Sequence, residues 1–281
     1  MRRYTVFILI FFILIPLVFS RQEKVSFDEK AAMSHIRTLA SDEMEGRKSG
    51  LPGAARAEEY IASKFREWGL FPAGDNGTFF QNLTMEFRHV EEGVVFRIIT
   101  NREKRNFTYG EDWRVERYSG SGHFTAEVVF AGYGIHAPEK GYDDYAGVDV
   151  KDKIVLFSGD TPSWLKDKLM EEARMDSRIK AAQKLGALGV MSFREDRGRG
   201  RYGRTRLRKA VHQPDFVILS VDKRVADFVF KDLPTEVTSL LRKVNRTSKP
   251  ASFHTGVKVF VSVNALFEQA RPTRNVLAVI E

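Results

Sequence analysis

Cysteine is absent from the 281 residues, which excludes structural disulfides, thiol catalysis, thiolate zinc sites and iron–sulfur ligation together. A metal held by this chain would need His, Asp or Glu. Histidine is itself scarce, with six in all. None of His35, His89, His123, His136, His212 and His254 stands in His-x-x-x-His or His-Glu-x-x-His spacing, which would put two imidazoles on one helical face. They read as ordinary polar or loop histidines, and His136 with Asp143 and Asp144 is the one grouping to probe as a site. Also missing is a Gly-x-Ser-x-Gly elbow for a serine nucleophile. The glycine stretches 119–122 and 198–200 lack the strand-loop-helix setting of a phosphate cradle.

A broad charge of one sign is missing as well. The formal charge is +8, but it sits in two places. Arg2 and Arg3 lie in an acid-free first twenty residues, and residues 194–209 carry eight basic residues against Glu195 and Asp196. The body is neutral, so no extended footprint for a polyanion exists. The Arg-Gly-Arg-Gly-Arg-Tyr centre of the second stretch could pair with RNA phosphates and stack on bases. Export argues against that, and a solvated surface loop is the simpler reading. With 43% hydrophobic and 29% charged residues, the chain is globular rather than disordered.

The long apolar runs reduce to one. Residues 5–19 carry no charge and follow a basic start at Arg2 and Arg3. Fifteen residues fall short of the ~20 that span a bilayer comfortably, and Val18-Phe-Ser20 offers small residues where a signal peptidase reads. The segment is expected to direct export and to be cleaved after Ser20; an uncleaved membrane anchor is the alternative. Sequons at Asn76, Asn82, Asn106 and Asn245 would matter only in a glycosylating host.

Beyond the leader, Ser26 and Glu29 fit a capping box, and Ala32, Ile36 and Leu39 recur at helical spacing, predicting a helix to about Ala40. A turn-rich stretch follows. A second helix is marked by Ala57, Tyr60, Ile61, Phe65 and Trp68 and stopped by Gly69. Residues 78–88 and 93–100 alternate weakly, as two strands paired with each other would. From about Tyr118 the texture becomes that of a separate small α/β unit, with short strands at 126–133, 153–157, 189–193 and 216–221. Residues 171–185 predict a helix with Ala173, Ile179, Ala182 and Leu185 buried and Gly186 as its cap. Val257, Val259, Val261 and Val263 alternate strictly, and 275–280 reads as a buried strand. An apolar strand of that kind normally feeds a covering element, so the stop at Glu281 is expected to mark a fragment, with completion by another subunit as the alternative.

Several ordered motifs carry a resemblance. Ile36-Arg-Thr-Leu-Ala-Ser-Asp-Glu-Met-Glu-Gly-Arg47, Gly50 to Gly53, Trp68-Gly-Leu-Phe-Pro-Ala-Gly-Asp75 and Phe79-Phe-Gln81 resemble the opening of secreted zinc aminopeptidases, metallopeptidase family twenty-eight, relatives of glutamate carboxypeptidase. Val128-Val-Phe-Ala-Gly-Tyr-Gly-Ile135, Gly141-Tyr-Asp-Asp-Tyr145, Val150-Lys-Asp-Lys-Ile-Val155 and Lys184-Leu-Gly-Ala-Leu-Gly-Val190 are similar to the protease-associated (PA) domain inserted in many of them. Arg274-Asn-Val-Leu-Ala-Val-Ile-Glu281 resembles the strand on which such chains return to the peptidase domain.

The resemblance implies an α/β fold: the N-terminal piece of a mixed-sheet zinc aminopeptidase domain with an inserted PA α/β domain, incomplete at the C-terminus. It implies a signal peptide at 1–20, a first peptidase segment at 21–117, the PA domain at 118–254 and return strands at 255–281. Two zinc ions are expected in the complete protein, on ligands that begin with a His-x-Asp stretch beyond the return strand. No catalytic or metal residue is therefore assigned in this chain, and hydrolysis by it alone is not expected. Arg47, from the Glu-Gly-Arg element, and Tyr133, Gly134 and Ile135 are the candidates for the substrate cleft. The implied partner is a peptide or protein substrate met through the catalytic part, with no nucleic acid, and with a membrane met only through the signal or anchor segment. The implied location is periplasmic, extracellular or membrane-anchored. A non-catalytic binding module, in the manner of the transferrin receptor, accommodates the same residues.

Overall fold

The computed structural model describes residues 27–165, 167–195 and 207–280. The expected signal segment, and most of the basic stretch 194–209, lie outside the described residues. The chain divides into two compact units, one running to Phe71 and taking in Ile280, the other Pro72–Val279.

In the first unit, α1 (Glu29–Leu39) begins where Asp28 accepts a hydrogen bond from the Ala31 amide at 3.0 Å. The N-cap is thus Asp28 and not the expected Ser26, because Asp28 places its carboxylate over the free amides of the first turn. None of the residues of α1 is buried, so the stripe through Ala32 and Ile36 forms the helix without being covered in this unit. A 3₁₀ turn (Asp42–Arg47) leads into α2 (Pro52–Glu67), whose proline opens the helix where no amide donor is needed. Gly53 has no alternative. A Cβ there would lie 2.1 Å from the Met44 carbonyl oxygen, so glycine lets α2 press its first turn against the buried Met44. Across the helices, His35 Nδ1 lies 2.7 Å from the Tyr60 hydroxyl and its ring meets Trp68 edge-on.

The second unit holds a long ribbon and an eight-stranded sheet. Its ten main strands are β1 (Phe80–Val90), β2 (Val95–Ile99), β3 (Lys104–Asn106), β4 (Trp113–Val115), β5 (Gly122–Phe130), β6 (Ile154–Ser158), β7 (Gly189–Phe193), β8 (Val217–Val221), β9 (Phe253–Val263) and β10 (Ala265–Val276). β1 and β10 form the ribbon, antiparallel from Val90 opposite Ala265 to Phe80 opposite Val276. The sheet order is β3-β2-β9-β5-β6-β7-β8-β4. β5 through β8 are mutually parallel, and antiparallel strands close both sides.

Burial explains the strand sequences. Val128, Phe130, Ile154, Leu156, Met191, Phe193, Val217 and Leu219 belong to one core, while Val129, Val155, Phe157, Val190 and Ile218 belong to the other. The period of two sends alternate residues to opposite faces, and both faces are covered. The helix α3 (Met175–Lys184) adds Ile179 and Ala182 to the second core; α4 (Lys223–Phe230) and α5 (Val237–Thr247) add Val225, Val229, Leu241 and Val244 to the first.

Three expectations need correction. Residues 78–88 and 93–100 do form strands, but they pair apart: β1 with β10, and β2 with β9 and β3. Phe96 and Ile98 follow the large core, whereas Gln81 to Met85 are exposed, so the two strands serve different surroundings. The predicted helix at 171–185 is shorter, because Arg174 is extended and helix begins at Met175; Gly186 does end it, at φ +82°. The eight-stranded sheet takes β5 to β8 from the segment 118–254, with β2, β3 and β4 from earlier in the chain and β9 beginning at Phe253. Central strands need neighbours for their backbone donors and acceptors, and these flanking strands supply them. Finally, 275–280 is not a buried strand, since Val279 is 49% and Ile280 81% exposed.

Candidate functional site

The Gly-Tyr-Gly-Ile and Tyr-Asp-Asp-Tyr motifs meet at the end of β5. Asp144 is fully buried and gathers three donors. Its Oδ2 accepts from the Tyr133 amide at 3.1 Å and the Ile135 amide at 3.0 Å, and its Oδ1 from the Tyr142 hydroxyl at 2.8 Å. The Asp144 amide returns a bond to the Ile135 carbonyl at 2.8 Å. This wrap needs both glycines. Gly132 and Gly134 have φ of +45° and +70°; a Cβ on Gly132 would stand 2.6 Å from Asp144 Oδ1 and one on Gly134 3.0 Å from the Phe157 ring.

Burial drives the electrostatics. It raises the Asp144 carboxyl to about 7, against the opposing pull of the Ile135, Tyr142 and Tyr133 donors and of Arg178. Burial likewise pushes the Tyr142 and Tyr145 hydroxyls upward and holds the Arg178 guanidinium down at about 10. Arg178, from α3, is nearly inaccessible and donates to the carbonyls of Ala173, Ser158 and Asp160 at 2.7, 3.0 and 3.2 Å. It thereby ties the end of β6 to the start of α3. Sequence reasoning missed Arg178, although it stands four residues before the buried Ala182 on the apolar face, where a charged residue must find partners.

Of the cleft candidates, Tyr133 and Ile135 are 3% and 0% exposed. Their side chains belong to the core. Arg47 is placed differently. Glu45, Gly46 and Arg47 are consecutive left-handed residues, with φ of 45°, 67° and 54°. Left-handed backbone at non-glycine residues is strained, and such strain concentrates at functional sites. Arg56 secures the turn through the Glu45 carboxylate at 2.7 Å and the Glu43 carbonyl at 2.6 Å. Arg47 itself is exposed.

His136 and Asp143 face each other across a short hairpin, with Nδ1 and Oδ1 2.8 Å apart; that same oxygen accepts from the Tyr145 amide. Asp144 turns away from them, both its oxygens taken by protein donors. The three do not converge on a common point, and among the described residues no group of three His, Asp or Glu side chains does. The described residues do not fit a two-zinc centre.

No family model matches the chain, and no curated protein does. Among solved structures, the aminopeptidase from Aneurinibacillus sp. strain AM-1 superposes with a TM-score of 0.50 at 20% identity, over 89% of this chain and 47% of that one. The fold is aminopeptidase-like. A zinc aminopeptidase from Bacillus subtilis gives a TM-score of 0.48 at 16% identity, covering 91% of this chain and 48% of its own. A peptidase M28 precursor from Shewanella amazonensis SB2B gives 0.42 at 12%, covering 89% and 53%. The chain therefore spans about half the length of the structures it matches.

Proposed function

We propose that this chain is the framework and gate of an exported two-zinc aminopeptidase that removes N-terminal residues from peptides, with the metal ligands supplied by a portion beyond it. The observation that carries the reading is the aminopeptidase-like fold over 89% of the chain at about half the length of the Aneurinibacillus enzyme. The ordered motif series from Ile36 to Gln81 supports it. In this reading the segment 118–254 is an inserted PA-type domain that walls the substrate cleft and selects by shape and charge. Asp144 stiffens that wall by pinning the Tyr133–Gly134–Ile135 backbone. Arg47, its strained turn braced by Arg56, is in this reading a candidate for substrate contact.

The test is to express the chain in continuity with the coding sequence that follows Glu281. That product is expected to release N-terminal residues from peptides and to lose the activity to a chelator. A following sequence without a His-x-Asp pair and a Glu-Glu pair would overturn the assignment.

A further inference from the structure

The ribbon and the sheet meet at a break in one long strand pair. Val90 stands opposite Ala265 at the end of the ribbon, and Val95 opposite Ser262 in the sheet. From 90 to 95 one strand advances five residues, while from 265 to 262 its partner advances three. Extra residues of this kind interrupt the ladder and let a strand pair bend. Beyond the break the ribbon has two strands alone, and Gln81 to Met85 are exposed, as in segments that open readily. The break is nevertheless braced. Tyr118, between β4 and β5, donates its hydroxyl to Glu86 Oε2 at 3.2 Å. The Arg88 and Arg117 guanidiniums lie over its ring, 4.6 and 5.2 Å from the centroid, and the Phe267 ring meets it edge-on at 5.6 Å. Glu86 also pairs with Arg88 at 2.9 Å and Arg117 at 3.9 Å. The residues after Tyr118 are sewn to the sheet: Ser119 Oγ accepts from the Ile218 amide at 2.9 Å, and the Gly120 amide donates to the Phe216 carbonyl at 2.8 Å. Tyr118 itself is buried and left-handed, with φ of 70°. A bulky residue keeps that conformation only where its surroundings over-determine it.

We propose that Tyr118 is a latch that fixes the angle of the ribbon to the sheet, closing a hinge at residues 91–94 and 264. The strained backbone aims the ring at Arg88 and Phe267, which face each other across the ribbon, so one side chain holds both strands. His212 backs the latch from the sheet side, with Nδ1 3.2 Å from the Tyr118 carbonyl oxygen and its ring 4.5 Å from that of Phe267. Ser121 adds a second tie close to the break, its Oγ accepting from the Ala265 amide at 3.0 Å. The latch is a property of this chain whatever reaction the complete protein performs; its use, to hold a cleft wall at one setting, rests on the function proposed above.

The test is double electron–electron resonance on the full chain. It has no cysteine, so spin labels attach only where cysteine is introduced. Thr84→Cys with Lys180→Cys puts one label on the exposed part of the ribbon and one on the exposed side of α3; Lys180→Cys with Lys243→Cys puts both on helices packed against the sheet. With Tyr118 in place, each pair is expected to give a single narrow distance distribution. Tyr118→Asn removes the ring, while asparagine accepts the left-handed backbone; Phe267→Ala removes the ring's partner on the ribbon and leaves the strained loop untouched. In both variants the ribbon pair is expected to lose its narrow distribution and the helix pair to keep it. A ribbon pair that stays narrow in both variants, one already broad with Tyr118 in place, or a helix pair that broadens along with it would overturn the proposal. The readout is a distance and not hydrolysis, so the latch and the peptidase reading fail separately.

Discussion

Replacing Asp144 by alanine tests the pinned loop most severely. The substitution removes the acceptor for the Tyr133 and Ile135 amides and the Tyr142 hydroxyl, all in the interior. Each buried donor left without a partner costs about 1–2 kcal/mol, so the variant should lose about 3–6 kcal/mol. A folded chain has a total stability of about 5–15 kcal/mol, so the loss is large. At a urea dependence of about 2 kcal/mol per molar, it moves the unfolding midpoint down by about 2 M. Asp144→Asn should behave differently. Burial raises the carboxyl from its ordinary 3.8 to about 7, and an amide keeps one oxygen to accept both backbone amides, so that only the Tyr142 hydroxyl loses its acceptor. The asparagine variant should lose only about 1–2 kcal/mol near neutrality. Because the folded state holds the proton more tightly than the unfolded one, this group's favourable contribution is complete below about pH 4 and is lost as pH rises through 7, by up to about 4 kcal/mol. Asparagine should flatten that slope. An alanine variant within about 1 kcal/mol of wild type, or an asparagine variant with the full pH slope, would refute the reasoning.

Gly53→Ala should destabilise by about 1–3 kcal/mol through the clash with Met44, read by thermal unfolding of the leading unit. Arg47→Gly should instead stabilise by about 1 kcal/mol in thermal unfolding, since glycine adopts the left-handed turn without strain. Arg178→Leu should leave the Ser158, Ala173 and Asp160 carbonyls without their donor, cost about 3 kcal/mol, and speed proteolysis within the segment that joins β6 to α3.

The elements most legible in the sequence were those whose pattern has a local cause. The Val257-to-Val263 alternation, the capping Gly186 and the short buried strands at 189–193 and 217–221 follow from period and turn chemistry alone. What escaped was partner choice. The partner of β1 is β10, about 180 residues away in sequence, and nothing in the weak alternation of 78–88 distinguishes it from the nearer β2. At the site, the tyrosines, glycines and paired aspartates stood out as motifs. Their assembly around one buried carboxylate did not, because it depends on the left-handed turns at Gly132 and Gly134. Arg178 was hidden by its own helix, whose apolar positions explain the pattern without it.

The central claim is that this polypeptide shapes and guards a peptidase cleft whose reactive ions are held elsewhere. Its most direct test is incubation of the purified chain with a peptide library and zinc, with mass spectrometry of the products. The account predicts intact peptides, with or without chelator. Release of N-terminal residues that a chelator abolishes would contradict it.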